Sequence, residues 1–481
     1  MVNASSATTP MDPASYSRMD DIRLNDISVS TVDGSSLSLM NHYAVFELTE
    51  DIFQNCVHGV VSCIDASNLI TNFPITGQEL LTISFNTPSI DREVELIFLI
   101  DKISQRHSLN NKQSQVYDIH FVSPTFMINM VNSVSKAYTN KSISDIVEDI
   151  HHTYILQDSN KTYSTLDDLY NEGQLLNIDY TDGTTNIIIP HWNPFTAINW
   201  LSKRATSSDN PRISDYVYYQ DMDGFHFRSI REMFKSGAKE VYLYGIDNAN
   251  DMIRDHISKP VNIDQSKSNI RNMLIGAFDR SKEVHRGTYA SSVLLHDIVN
   301  KSFNLTQYNY LDDFENNPSL NGNPYLSTRN IYANKPESKT FFVPTQMNMY
   351  GEPSGVKTNS GNDGVEEWLV RHDAQIEQLK SSSMIIEVSG DSTRRIGDVV
   401  HILVNSFQGE DENGQVNVDN ILSGNYLVTS IKHVVSKNKG HTMKLKLCKE
   451  STQEKMPEMS EIEQPGASPT NFNSIFGGKW I

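Results

Sequence analysis

Residues 384–449 consist of short β-branched and apolar runs separated by Gly, Asn and Asp. This pattern is typical of the strands of an antiparallel barrel or sandwich. In the last run, Met443, Leu445 and Leu447 alternate with two lysines, so this strand is expected to bury one face and expose the other. The segment therefore predicts a β-sheet module, and no catalytic residue is needed to explain the pattern.

A second strand-rich segment extends from residue 22 to about residue 122. Its apolar runs are separated by turn residues, chiefly Asn, Thr and Pro. Short strands at this spacing can form a barrel or a sandwich by themselves. The candidate strands are residues 43–48, 57–65, 79–85, 94–101 and 115–121.

The pattern changes to helical between residues 123 and 205. Ser142 is followed three residues later by Asp145, an arrangement similar to a capping box at a helix start. A second helix is expected to open at Asn193 and Pro194, because proline is favoured in the first turn. Residues 123–205 are therefore predicted to be a helical insertion.

Strands return around Asp221-Met-Asp-Gly224, which lies between two aromatic-rich runs. Asp-Gly between such runs predicts a β-hairpin. The same residues resemble the start of a calcium-binding loop, but Phe225 takes the third ligand position and no Glu closes the loop. The hairpin is the favoured interpretation.

Together these patterns predict an α+β, mainly β chain with two similar antiparallel β-barrels and helical and irregular insertions. The first barrel comprises residues 22–122 and 206–246, interrupted by the insertion 123–205. Residues 247–364 are predicted to be a mixed α/β, loop-rich region, and residues 365–450 a helix followed by the second barrel. Residues 1–21 lack the pattern of a secretory signal and predict a flexible arm, and residues 451–481 predict a partner-binding tail.

Charge and cysteine content restrict the classes of partner. The 481 residues carry 40 basic and 59 acidic side chains, a net charge of −19, which disfavours binding to nucleic acid or anionic lipid. No apolar run is long enough to span a membrane. Cys56, Cys63 and Cys448 form an odd set without metal spacing, so buried thiols and assembly in a reducing cytoplasm are expected.

The motifs of common enzymes are absent from the sequence, including Gly-x-Ser-x-Gly, the Walker loop and His-Glu-x-x-His. His151 and His152 are adjacent on a helix and point about 100° apart, so they cannot easily face one ion. His401 and His433 are expected to be hydrogen-bonded strand residues. We therefore predict no catalytic residue, no metal ligand, no cofactor and no enzymatic activity.

The C-terminal tail carries large apolar groups in a segment too rich in Gly and Pro to form a core. Aromatic anchors of this kind are typical of interface hot spots. The alternatives are a mobile tail or a strap packed on its own domain. The candidate interface residues are Phe472, Ile475, Phe476, Trp480 and Ile481.

Several motifs follow one another along the chain. They are Tyr138-Thr-Asn-Lys-Ser-Ile-Ser-Asp-Ile-Val147, Asn193-Pro-Phe-Thr-Ala-Ile-Asn-Trp-Leu-Ser-Lys-Arg-Ala205, Gln375-Ile-Glu-Gln-Leu379, Arg395-Ile-Gly-Asp-Val-Val400, Ser423-Gly-Asn-Tyr-Leu-Val428, Ile431-Lys-His-Val434 and Met443-Lys-Leu-Lys-Leu447. Each motif alone is loose, but their order resembles that in the baseplate hub proteins of contractile-tailed bacteriophages. This family is typified by the T-even phage hub and is related to the N-terminal part of the VgrG spike proteins.

The resemblance implies a homotrimeric ring in the virion tail baseplate, in which two similar barrels per subunit present a pseudo-sixfold face to the sixfold tail tube. It further implies contacts with the central spike protein, with the tail tube or a tube-initiator protein, and with neighbouring baseplate wedge or hub proteins. The acidic balance suits a passage through which DNA moves without specific binding.

Two other functions stay open at this point. The chain could be a tail-tip cell-wall hydrolase, which would need converging carboxylates or a metal in a cleft. It could instead be a glycan-binding tail protein, because aromatic residues between 216 and 227 could stack on sugars.

Overall fold

The computed structural model describes residues 22–31, 34–87, 92–109, 114–156, 176–245, 269–276, 279–298, 301–326, 338–345, 365–410, 416–437 and 440–455. The fold is α+β and mainly β, which confirms the predicted class. Within these ranges, no helix combines the length and the hydrophobicity that crossing a membrane requires.

The first β module comprises residues 23–122. Its elements are β1 (Arg23–Ser30), β2 (Ser36–Ser38), β3 (Tyr43–Asp51), β4 (His58–Asp65), α1 (Leu69–Asn72), β5 (Leu80–Thr87), β6 (Arg92–Ser108) and β7 (Gln115–Val122). The strands pair antiparallel in the order β3-β4-β7-β6-β5-β1-β2 around a core that contains Phe46, Phe85 and Tyr117. The alternation of buried and half-exposed side chains along β3 and β4 places one face of the sheet on this core.

The middle region forms a unit of its own with helices and two small sheets. Its elements are α2 (Pro124–Val131), β8 (Val134–Lys141), α3 (Ile143–Ile150) with a π-helical turn (His151–Ile155), β9 (Leu176–Ile178), β10 (Thr185–Trp192), α4 (Pro194–Ser202), β11 (Tyr216–Asp221), β12 (Gly224–Ser229) and α5 (Ile230–Phe234). β8 pairs with β10, and β12 lies between β11 and β9. Ser142 caps α3 by accepting a hydrogen bond from the Asp145 N–H, as predicted.

The predicted hairpin at Asp221–Gly224 is confirmed, but its strands do not belong to the first barrel. Tyr218 and Phe225 lie in the core of the middle unit, where both rings pack near Phe195 of α4. Because these aromatic side chains complete the helical core, the assignment of the whole of residues 206–246 to the first barrel is wrong. The insertion 123–205 also contains strands as well as helices.

The remaining elements follow residue 237. A helix and the strands after it lie where residues 365–450 were predicted to form a helix and a second β module. The elements are β13 (Ala238–Tyr244), β14 (Asn272–Ile275), α6 (Arg280–Arg286), β15 (Ala290–Asp297), β16 (Ser302–Asn309), α7 (Tyr310–Asn316), β17 (Asn323–Pro324), β18 (Thr340–Thr345), α8 (Val365–Leu379), β19 (Ser382–Ser389), β20 (Val399–Glu410), β21 (Val416–Val418), β22 (Gly424–Ser436), β23 (Gly440–Lys449) and β24 (Ser451–Thr452).

The second β module closes on itself. Its strands follow the order β13-β20-β22-β23-β19-β14, and β13 runs parallel to β20. The Ile270 N–H, just before β14, donates to the Leu243 carbonyl of β13 over 2.9 Å and links the first strand to the last. β13 therefore belongs to this module, a second correction to the predicted first barrel.

The two β modules share one continuous sheet. Strand β22 pairs with β20 through residues 424–427, and then with β3 of the first module through residues 430–436. Val435 of β22 lies in the core of the first module, whereas Ile431 lies in that of the second. The modules are thus joined by backbone hydrogen bonds, and their similarity to each other stays a prediction.

Candidate interaction surfaces and the module junction

The hairpin between β11 and β12 lies where the two β modules meet. Asp221 Oδ1 accepts hydrogen bonds from the N–H groups of Asp223 (2.8 Å) and Gly224 (3.1 Å), and Gly224 has a φ of +143°, a conformation that favours glycine. Asp223 forms a two-point ion pair with Arg395 in the loop before β20. The Asp221 carboxylate therefore stabilises the turn and the Asp223 carboxylate pairs with Arg395, so the calcium-loop alternative is not supported.

Glu50, at the end of β3, completes this junction. Its side chain is fully buried, and its Oε1 accepts a hydrogen bond from the Met222 N–H over 2.8 Å. Burial raises the pKa of Glu50 to about 8, with a further increase from Asp221 and a partial offset from Arg395. Glu50 thus holds a proton at neutral pH, which limits the repulsion among the carboxyl groups around one guanidinium.

A buried carboxyl group with a raised pKa can indicate a general acid. Here Glu50 is 0% exposed and its neighbour Asp221 is 4% exposed, so no substrate can reach them in this conformation. Within the described ranges, no group of three or more His, Cys, Asp or Glu side chains could hold a metal ion. The geometry of this cluster fits a structural junction.

A second buried ionic network ties the middle unit to the C-terminal half. Arg231 of α5 is 2% exposed and donates from Nη2 to Gln378 Oε1 of α8 over 2.9 Å. The same nitrogen lies 3.5 Å from Asp313 Oδ2 of α7, and Asp215 lies 3.9 Å from Nε. Burial raises the pKa of Asp215 to about 6 although Arg231 opposes this shift. The guanidinium thus links three elements far apart in the sequence.

The histidines take structural positions. His151 is buried, with Nδ1 2.9 Å from the Tyr218 hydroxyl, whereas His152 lies near Glu148. The two rings are inclined by 77° and do not converge on one point. His401 in β20 and His433 in β22 are hydrogen-bonded strand residues, as predicted.

The aromatic side chains between residues 216 and 227 cannot stack on a sugar. Tyr216, Tyr218, Tyr219, Phe225 and Phe227 are each at most 2% exposed. The aromatic-rich composition of residues 216–227, which suggested glycan binding, is therefore explained by packing of these side chains in the core.

The cysteines are buried as predicted. Burial raises the pKa of the Cys56 and Cys63 thiols to about 12, so neither is activated as a nucleophile.

A cleft of about 500 Å³ lies between the first module and the middle unit. Aromatic side chains from both sides line it, among them Phe121 of β7 and Phe195 of α4. Phe53, in the turn after β3, separates it from a second cleft of about 350 Å³ that reaches His372 of α8. These clefts mark grooves at the contacts between units.

The clearest exposed apolar surface lies on a separate sheet in which β15 is flanked by β16 and β18. Phe303, Leu305 and Phe342 are 72%, 57% and 60% exposed on this sheet. This surface was not predicted from the sequence. The alternation of apolar and polar residues in 302–306 is the signal that could have indicated it.

The predicted interface residues Phe472, Ile475, Phe476, Trp480 and Ile481 lie outside the described residues. The described chain ends at Lys455, just after β24 pairs with β17.

No protein-family model matches the chain, and no curated protein matches it significantly. Several solved structures are similar. A tail protein from Neisseria meningitidis MC58 has 10% identity and a TM-score of 0.48, with 88% of this chain and 96% of that chain covered. A tail protein of prophage MuSo2 from Shewanella oneidensis has 11% identity and a TM-score of 0.49, with 88% and 98% covered.

An E. coli component of the type VI secretion system, described as similar to T4 bacteriophage tail proteins, has 8% identity and a TM-score of 0.41. The alignment covers 92% of this chain and 80% of that protein. These similar structures are thus two tail proteins and a component of a type VI secretion system. Identities near 10% with TM-scores below 0.5 carry no conclusion about function.

Proposed function

We propose that this chain is a structural subunit of the baseplate hub of a contractile phage tail. Three copies form a ring that adapts the sixfold tail tube to the threefold central spike and leaves a passage for DNA. Its partners are further copies of itself, the spike, the tube or a tube-initiator protein, and neighbouring baseplate wedge or hub proteins. It functions in the virion tail baseplate and is assembled in the host cytoplasm.

The observation that carries this proposal is the continuous sheet through both β modules. Residues 430–436 of β22 pair with residues 45–51 of β3, and the Glu50–Arg395 cluster fills the same junction with buried polar groups. A hub subunit must keep its two modules in a fixed relation, because each presents a separate contact to the tube above. Backbone pairing between the modules meets that requirement.

Charge supports the second part of the proposal. A net charge of −19 repels the DNA backbone, so DNA can move past without being held. A ring that bound duplex DNA at physiological salt would contradict this role.

Native mass measurement of the purified chain, alone and with spike and tube proteins, tests the proposal. Three chains of 54.3 kDa give about 163 kDa. An image average of that particle should show threefold symmetry with a pseudo-sixfold face. A particle that stays at the mass of one chain with every partner present would refute the ring, and cleavage of bacterial cell wall in a zymogram would favour the hydrolase.

A further inference from the structure

One face of the sheet formed by β16, β15 and β18 is apolar and open to solvent. We call it the open face and define it by Leu294, His296, Phe303, Leu305 and Phe342. Leu294 lies opposite Leu305 on one side and Phe342 on the other. The His296 ring lies 5.5 Å from that of Phe303 and 5.9 Å from that of Phe342. These five side chains therefore form one contiguous patch.

The opposite face of the same sheet is already covered. Val293 and Leu295 alternate with the open-face residues of β15 and pack in a core with Val370 and Ala374 of α8. The open face is thus the solvent-exposed side of a sheet whose other side is packed in a core.

The open face also lacks charge. The other positions on it, by strand alternation, are Ser292, Gln307, Thr340 and Pro344. None of the nine side chains is Asp, Glu, Lys or Arg, although 21% of the chain is charged. Exposed apolar patches of this kind mark interaction surfaces, because covering them gains about 25 cal/mol per Å².

The C-terminal segment has the matching composition. Residues 464–481 contain Lys479 as their one charged side chain, together with the five large apolar anchors between 472 and 481. The preceding residues 454–463 contain four glutamates and one lysine. This aromatic segment with a single charged side chain therefore suits an uncharged apolar face, and the acidic part before it suits a solvated connection.

The last described residues lie close enough to this face for the C-terminal segment to reach it. The Tyr310 hydroxyl, just after β16, donates to the Glu450 carbonyl over 3.4 Å, so β24 lies near one end of β16. Phe303 is seven residues back along the strand, about 23 Å away. The 17 residues from Lys455 to Phe472 can span up to about 56 Å, which exceeds that distance.

We propose that residues 472–481 pack on the open face of the same chain. The apolar anchors of this tail then cover the apolar side chains of the open face, and the tail acts as a strap on the sheet. The sequence left three alternatives open for these anchors: a partner interface, a mobile tail and a strap on its own domain. The proposal selects the third. The proposal goes beyond the hub role and does not depend on it.

The test compares the full chain with a chain that ends at Glu463. Loss of the strap should raise the fluorescence of a dye that binds exposed apolar surface by about threefold. Amide hydrogens of β16 and β18 should exchange about tenfold faster. Adding a synthetic peptide of residues 464–481 should reverse both changes.

Point variants in the full chain separate this site from other apolar positions. Phe342→Asp should reproduce the dye binding and the faster exchange of β16, because a buried carboxylate expels the strap. Ile188→Asp is the matched control, since Ile188 is 73% exposed in β10 of the middle unit, and it should leave β16 protected. Far-ultraviolet circular dichroism verifies that each variant is folded.

Three results would overturn the proposal. Truncation could leave dye binding and exchange unchanged, which would mean that the tail lies elsewhere. Protection of β16 could depend on protein concentration in the truncated chain, which would mean that a second copy covers the face. Protection could also arise only when another baseplate protein is added, which would assign the face to that partner.

Discussion

Replacement of Glu50 by glutamine tests the junction between the two β modules. Glutamine keeps the shape of the side chain and the oxygen that accepts the Met222 N–H, and it removes the titration. Glu50 Oε2 is buried without a hydrogen-bond partner, so the substitution breaks no second hydrogen bond. The variant therefore isolates the effect of a charge that burial and Asp221 oppose.

The expected magnitude follows from the shift in the pKa of Glu50. The folded chain raises this pKa from 4.5 to about 8, so the folded state retains a proton that the unfolded state has lost. The stabilising contribution is full below pH 4.5 and is lost as the pH rises to about 8. One proton corresponds to about 1.4 kcal/mol per pH unit. From pH 5 to pH 8, the free energy of unfolding of Glu50→Gln should therefore rise by up to about 4 kcal/mol relative to that of the wild type.

Urea unfolding followed by circular dichroism at pH 5, 6, 7 and 8 measures this difference. Glu47→Gln on the same strand is the control, because its side chain is 36% exposed beside Lys432 and its loss should change stability by less than about 1 kcal/mol. The reasoning fails if the difference between wild type and Glu50→Gln stays constant from pH 5 to 8.

Three further substitutions have defined outcomes, the first two in the same unfolding assay and the third in the yield of soluble protein. Arg231→Met leaves buried carboxylates without their partner and should cost about 3–5 kcal/mol; an unchanged midpoint would refute the role of the network. Ser142→Ala removes the cap that accepts the Asp145 N–H and should cost about 1 kcal/mol, with no effect expected from exposed Ser135→Ala. Gly59→Ala would place a Cβ 2.1 Å from the Glu47 carbonyl oxygen, so soluble, folded protein should be lost; normal expression would contradict this packing.

Local structure was predictable from the sequence where neighbouring residues decide it. Met443, Leu445 and Leu447 are fully buried between two exposed lysines, as their alternation indicates. The Ser142 cap and the Asp221–Gly224 hairpin also depend on residues within a few positions of each other. In these cases hydrogen bonding and side-chain period act over one turn or one strand.

Partners distant in the sequence were not predictable in the same way. β13 has the composition of a strand that could join any sheet, and its parallel pairing with β20 is set 160 residues later. β22 is a single run of 13 residues, yet its first part belongs to one module and its second part to the other. The pattern of burial continues through the change of core, so nothing in the sequence marks it.

The exposure of the candidate sites likewise depends on tertiary packing that the sequence does not indicate. The aromatic run at 216–227 has the same composition as an exposed stacking platform, and only the tertiary packing shows that it is core. The side chains of Phe303, Leu305 and Phe342 show the opposite case. They alternate like core residues, but the helix that covers the sheet lies on the other face.

The distribution of contacts indicates where this chain can change shape. Seven residues of β22 pair with β3, and each backbone hydrogen bond contributes about 1 kcal/mol net, so separating the β modules would cost several kcal/mol in hydrogen bonds alone. The sheet of β15, β16 and β18 shares no strand with this continuous sheet and contacts it through α8. Rearrangements of the folded chain should therefore occur at the α8 contacts and on the open face, while the two β modules move together.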